Sequence, residues 1–235
     1  MQEVALYLIP VPLSETPVEN VLPAQNIAMV SHIKYFIVEN IRTARRFLKK
    51  CDRSIDIDTL TFFTLNGHTP PEEIETFLRP LIDGNAMGVI SEAGCPAIAD
   101  PGADVVAIAQ RKRLKVIPLV GPSSIIMSLM GSGFNGQSFA FQGYLPIDAT
   151  ERARKFKDME RAINIESQTQ IFIETPYRNN KLIADMAHNL PRNLALCVAS
   201  DISGEKELIT TKSISEWAKA KYDYDKIPTI FLLYK

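Results

Sequence analysis

Cysteine, histidine and tryptophan are scarce: the 235 residues hold three Cys, three His and one Trp. Cys51, Cys95 and Cys197 lie far apart, which fits neither a disulfide framework nor a zinc spacing and points to a reducing, cytoplasmic setting. His32, His68 and His188 are equally scattered, so no metal site is expected. A surplus of one charge sign is also missing. With 26 basic against 27 acidic residues there is no overall cationic field, and any nucleic-acid contact has to be local. No apolar run is long enough to span a bilayer. The opening, MQEVALYLIPVPL, has an acid where a secretory leader would be basic, and Pro10 and Pro12 break its apolar run, so it reads as a first strand. Internal repeats and low-complexity segments are lacking as well.

What is present is ordinary globular material, 46% hydrophobic and 23% charged, enough for one large or two modest domains. The first half alternates apolar runs with amphipathic stretches, the pattern of a sheet with helices on its faces. Strands are expected at 4–10, 34–40, 61–66, 86–91 and 115–120. PPEEIETFLRPLI opens with prolines and acids and repeats apolar residues at Ile74, Phe77, Leu78, Leu81 and Ile82, which predicts one helix. Asp100 before Pro101 predicts an N-cap and a helix through Val105, Val106 and Ala109. Three glycines in GSGFNGQS, 131–138, mark a linker between an α/β domain at 1–130 and a second domain at 138–235. The second domain starts with FAFQGYLP and a charged helix near 150–164, followed by TQIFIETP and a helix carrying Leu182, Ile183, Met186 and Leu190. It ends in three closely spaced runs, ALCVASDI, ELITTKSI and PTIFLLY, which predict a mixed, partly antiparallel sheet.

Two loops stand out. SEAGCPAIADPG, 91–102, follows a buried strand with two glycines, two prolines and two acids in twelve residues, more than a simple turn needs. Open α/β sheets place ligand crevices at such strand ends, and Gly94 allows close backbone approach. A tight strand-to-helix connection capped by Asp100 is the other reading. VGPSSIIMSLMGSG, 120–133, repeats the arrangement with Ser123 and Ser124 at a helix start, where free amides favour an anionic or carboxylate-bearing ligand. Ser there also serves as a plain cap.

The order of these motifs resembles the tetrapyrrole methylase superfamily of S-adenosylmethionine-dependent methyltransferases, and within it the ribosomal RNA small subunit methyltransferase I family, over nearly the whole chain. SEAGCPAIADPG is similar to that family's SDAGTPLISDPG, and VIPLVGPSSIIMSLMGSGF to its VVPLPGPSALITALSASGL. FQGYLP, IFIETPYR and CVASDISGEKELI fall in the family's order, near FxGFLP, IFYESPHR and VxRELTKxxEE. The chain departs from TPIGNLxD at Ser14, Glu15 and Thr16, from EDTR at Glu39 to Arg42 (ENIR), and from LTK at Ile202, Ser203 and Gly204. Asn66, Gly67 and His68 loosely occupy the region of its HDHN loop.

The resemblance implies a two-domain fold, an N-terminal mostly parallel sheet with helices on both faces and a C-terminal mixed sheet, and a homodimer. It also implies that S-adenosylmethionine lies folded between the domains. Pro10, Glu92, Ala93, Gly94, Cys95, Ser123, Ser124 and Ile125 would line the N-terminal side, and the chain around Phe172 to Glu174, Ala199, Pro228 and Thr229 the other. Glu92 replaces Asp and Cys95 replaces Thr, which exchanges a good hydroxyl donor for a weak thiol. The implied reaction is methylation of a cytidine ribose 2′-hydroxyl in 16S rRNA.

That hydroxyl must lose a proton, and Glu39 is the first candidate to accept it, Glu174 the second. Either can instead be an ion-pair partner, of Arg42 and Arg178 respectively. In RTARRFLKK a helix would put Arg42, Arg45, Arg46, Lys49 and Lys50 on one face, five positive charges with no acid among them, able to hold phosphates or simply solvated. Arg178 joins Arg42, Arg45 and Arg46 as an expected substrate contact. Two other functions compete with the rRNA reading: methylation of a small molecule such as a tetrapyrrole, and a cofactor-binding module that has lost catalysis.

Overall fold

Each apolar run expected in the first half forms a strand. The computed structural model describes residues 3–67 and 69–235, so His68 lies outside the described residues. The chain divides into two units, Met1–Ser123 and Ser124–Lys235.

The first unit runs β1 (Leu6–Ile9), α1 (Ala24–Val30), β2 (Tyr35–Val38), α2 (Ile41–Cys51), β3 (Thr61–Thr64), α3 (Pro71–Phe77), α4 (Arg79–Ile82), β4 (Met87–Ile90), α5 (Gly102–Arg111) and β5 (Val116–Pro118). Its sheet has the order β3-β2-β4-β1-β5, with every pair parallel. Strand side chains alternate between faces, and here both faces are covered, which is why the central strands are continuously apolar. Tyr7, Ile9, Phe36, Val38 and Ile90 pack on one face with Ala44, Phe47 and Leu48 of α2. Leu6, Leu8, Ile37, Met87 and Val89 pack on the other with residues of α3, α4 and α5. A parallel sheet brings all its carboxyl ends to one edge, and the connections after β1, β2, β4 and β5 leave from there.

Two local expectations shift. PPEEIETFLRPLI forms two short helices rather than one, because Pro80 has no N–H to continue the ladder and the chain resets at Leu78. The helix after Asp100 starts at Gly102 with Pro101 in the cap position. Asp100 still bonds to the Gly102 N–H through its side chain, but from one residue further out than an N-cap.

The second unit runs α6 (Ser124–Ser132), β6 (Phe139–Tyr144), α7 (Ala149–Glu166), β7 (Thr169–Ile173), α8 (Asn179–Asn189), β8 (Ala195–Ser200), β9 (Leu208–Ser213), α9 (Ile214–Trp217) and β10 (Thr229–Tyr234). Its sheet, β6-β7-β10-β8-β9, is mixed: β6 and β7 are parallel and the other pairs antiparallel. Sequence reading allotted α6 to a domain at 1–130, whereas here it packs within the second unit. The Thr211 hydroxyl of β9 donates to Ser132 O at 2.9 Å, and Gly131 lies against Ile209 with no room for a Cβ. The glycine-rich stretch therefore links α6 to β6 inside that unit.

Candidate active site

The SEAGCPAIADPG loop is long because three strand ends are tied together through it. Val11, just past β1, and Gly94, just past β4, exchange backbone hydrogen bonds at 3.0 and 3.2 Å. The Cys95 thiol donates to Pro122 O, past β5, at 3.3 Å. Gly94 has φ of +69°, and a Cβ there would sit 3.0 Å from Leu13 Cδ2, so only glycine fits without strain. Further along, Ala97 and Ala99 also have positive φ, 66° and 58°, which costs energy for a residue with a side chain. Asp100 holds them. Its Oδ1 accepts from Ala97 N at 2.9 Å and Gly102 N at 2.7 Å, while Oδ2 shares the Ala97 bond at 3.0 Å.

Three carboxylates gather at this edge. Glu39, at the end of β2, and Asp100 line one small cavity of about 10 Å³, roughly the room one water needs, together with Ser91, Gly102 and apolar side chains of β2 and β4. Glu92 accepts from the Thr43 hydroxyl of α2 at 2.6 Å. Burial pushes the Glu39 carboxyl above its ordinary value, the Asp100 and Glu92 charges add to that, and the bond from Glu92 N works against it. Asp100 is raised by burial, against the pull of its bonds from Gly102 and Ala97. None of the three is ion-paired among the described residues, and they do not converge as a metal-ligand set there.

The expected cofactor contacts fall into three groups. Pro10 is buried against Gly121, Glu92 and Ala93 are exposed, and Gly94 and Cys95 form the junction just described. Burial raises the Cys95 thiol, so this sulfur is a weak hydrogen-bond donor and a poor nucleophile. Ser123 closes the first unit, whereas Ser124 and Ile125 open α6 in the second. Within the second unit, β10 is antiparallel to β7 and β8, so the start of β10 meets their carboxyl ends: Ile230 pairs with Ile173 and Ala199, and Thr229 with Ser200. Phe172 to Glu174, Ala199, Pro228 and Thr229 therefore share one sheet edge. Ala199 is fully buried in the ladder, Pro228 is exposed, and the Pro228 carbonyl accepts from Asp201 N at 3.0 Å.

Glu174 and Arg178 hold each other. Arg178 donates through Nη2 at 2.5 Å and Nε at 3.0 Å to Glu174 Oε1, which also accepts from Thr175 N at 2.7 Å. With Glu174 8% exposed, this pair fixes the turn after β7 and leaves Glu174 poorly placed to take a proton from a substrate. Glu39 makes no ion pair with Arg42.

On α2, Phe47 and Leu48 are buried and all five basic residues are exposed, as the helical spacing requires. The loop after β1 brings an acid from outside the helix to this face. Glu15 reaches across to pair with Lys50 at 2.5 Å. Lys49 Nζ donates to Arg53 O at 2.9 Å, and the Arg45 guanidinium lies over the Phe62 ring of β3 at 5.6 Å. Arg42 and Arg46 are the least engaged. Asn40 caps the helix, its side chain accepting from Arg42 N.

The fold is that of the tetrapyrrole methylases. Over 98% of its length the chain superposes on diphthine synthase, covering 89% of that chain with a TM-score of 0.68 at 14% identity. It superposes equally far on the methyltransferase CobJ, covering 94% of that chain with a TM-score of 0.65 at 11% identity. Within this class the chain belongs to the ribosomal RNA small subunit methyltransferase I family. It is 30% identical over 213 residues to the protein of that name from Vibrio cholerae, covering 90% of this chain and 69% of the relative. It is 33% identical over 159 residues to the Haemophilus influenzae one, 66% of this chain and 55% of the relative. The chain thus spans between about half and about two thirds of the length of these relatives. No family profile matches it.

S-adenosylmethionine is the methyl donor of this class. The donor set here fits it: a sulfonium and an ammonium are cations, and the strand-end loops present three carboxylates without a paired cation among the described residues. Sequence reading missed Asp100 as the tether of the loop and Thr43 as the link from α2. The only signal for Asp100 was its place before Pro101, and Thr43 carried none, since its partner is 49 residues away. Gly94→Val should abolish S-adenosylmethionine binding in calorimetry while the chain stays folded by circular dichroism, because a branched side chain forces φ out of the left-handed region and breaks the Val11 pairing. Unchanged affinity would remove this loop from the cofactor site.

Proposed function

We propose that this chain transfers a methyl group from S-adenosylmethionine to a ribose 2′-hydroxyl of 16S rRNA in the cytoplasm, and that it works as a homodimer. One observation carries the RNA part of this reading. The helix α2 shows Arg42, Arg45 and Arg46 to solvent and, one residue beyond Arg42, bonds through Thr43 to Glu92 of the loop assigned to the cofactor. A phosphate grip and a cofactor loop on one rigid element is what delivery of a backbone ribose to a methyl donor requires.

Bound S-adenosylmethionine supplies a methyl group already activated on sulfur. The chain's task is then positioning and proton removal. The loops after β1 and β4 hold the donor side, the α2 arginines hold phosphates on either side of the reacting ribose, and Glu39 takes the hydroxyl proton as the oxygen–methyl bond forms. The raised Glu39 carboxyl is the better base for this, since burial and its acidic neighbours favour the protonated form. The proton then leaves to water.

Exposed apolar side chains support self-association. Ile126 and Met130, one turn apart on α6, are 45% and 79% exposed. Light scattering at micromolar concentration should give twice the chain mass, and a clean monomer would remove the dimer.

Radiolabelled methyl transfer onto small ribosomal subunits tests the rest. Glu39→Gln keeps the shape and removes the acceptor, so it should spare cofactor and RNA binding and slow transfer by about 10²-fold. Full activity would make Glu39 structural. Arg45→Glu with Arg46→Glu should leave cofactor binding intact, weaken RNA binding, and reduce the salt-dependence slope by about 1.4 to 1.8 for two lost phosphate contacts. Unchanged RNA binding would reduce the basic face to a solvated one and favour a small-molecule acceptor.

A further inference from the structure

Asp100 does more than its bonds require. Its Oδ1 accepts from both Ala97 N and Gly102 N, with Oδ2 a second acceptor for Ala97 N, so an uncharged amide that keeps Oδ1 in place retains two of the three contacts holding the strained loop. The charge matters for another reason. Asp100 and Glu39 face one cavity of about 10 Å³ whose remaining walls are largely apolar, including Ile37, Val38 and Val89. Charges separated by so little water interact more strongly than at an open surface. The charged groups facing Glu39 are Asp100 and Glu92, both from the loop after β4. On the other sides, α2 offers the neutral Thr43, bonded to Glu92, and the end of β3 offers Leu65.

We propose that Asp100 is a positioning residue for proton transfer to Glu39: anchored by Ala97 and Gly102, its negative charge across the shared cavity makes the Glu39 carboxylate the readier proton acceptor. This rests on Glu39 being the acceptor in ribose methylation. The proton that leaves the ribose oxygen resides on Glu39, where the Asp100 charge favours it, and the pair then carries one proton between two carboxylates. Its later loss to water restores both charges. The methyl group would pass from the donor's sulfur to that oxygen, leaving a neutral thioether, and no other group of this chain changes its bonds.

Asp100→Asn in the full chain tests this, since it preserves the Oδ1 acceptor and removes the charge. In the profile of kcat/KM against pH for methyl transfer to small subunits, the acid limb should move down by about one pH unit. A role confined to holding the loop would change the rate and leave the limb where it was, and that result, with cofactor binding intact by calorimetry, overturns the proposal. Glu39→Gln separates this from failure of the underlying reading: if it keeps the rate and the acid limb, Glu39 is not the acceptor and both fall. A carbon-13 NMR titration of the unliganded wild-type protein needs neither substrate nor variant. Glu39 and Asp100 should titrate as a coupled pair, each resonance showing both steps, and independent single steps would contradict the proposal even if no activity is found.

Discussion

The site in the first unit depends on one pair of backbone hydrogen bonds, between Val11 and Gly94. Strands of a parallel sheet pair along their length, but the loops beyond their carboxyl ends have no such obligation, and most diverge. Here the chain past β1 and the chain past β4 meet again in one isolated antiparallel bridge. That extra pair needs the left-handed φ of Gly94, and it sets Cys95 beside Pro122 so that the β5 loop joins as well. The loop residues assigned to cofactor and proton transfer flank this junction: Glu92 on one side of Gly94, the Ala97 to Asp100 turn on the other.

Charge is segregated although the totals balance. Acids collect at the strand ends, where burial first and the neighbouring acidic charges second raise Glu39, and bases collect on the outer face of α2. Thr43 of α2 links the two regions through its bond to Glu92. Some of the basic charge is already engaged. Lys50 pairs with Glu15, but both ends of that pair are exposed, so the pair is held weakly and a phosphate can displace it. The stacking of Arg45 over Phe62 is a different case, since it fixes the guanidinium at a place where a neighbouring base or phosphate can meet it.

Much of the fold was legible in the sequence because its signals are local. Short continuous apolar runs such as LYLI and YFIV report strands of a sheet covered on both faces. The i, i+4 spacing in α2 gave its basic face correctly. What stayed hidden is long-range or depends on a single atom. Glu15 is 35 residues from Lys50, and nothing near either one announces the pair. Pro80 split a helix that periodicity alone makes continuous, and α1, with only Asn26 and Val30 buried, has too narrow an apolar face to be read. The pairing of Glu174 with Arg178 was one of two readings open to the sequence, and the distances decide it. For the residues around Gly94, the motif indicated the place, whereas the reason for its length, a three-way junction with Asp100 as tether, required coordinates.

We propose that this chain methylates a ribose of small-subunit rRNA. This is tested most directly by mass-spectrometric mapping of methylated nucleotides in 16S rRNA from cells with and without the protein. The account predicts one 2′-O-methylated nucleotide that disappears when the protein is absent and returns with the wild-type chain. An identical methylation map in both cells would contradict it.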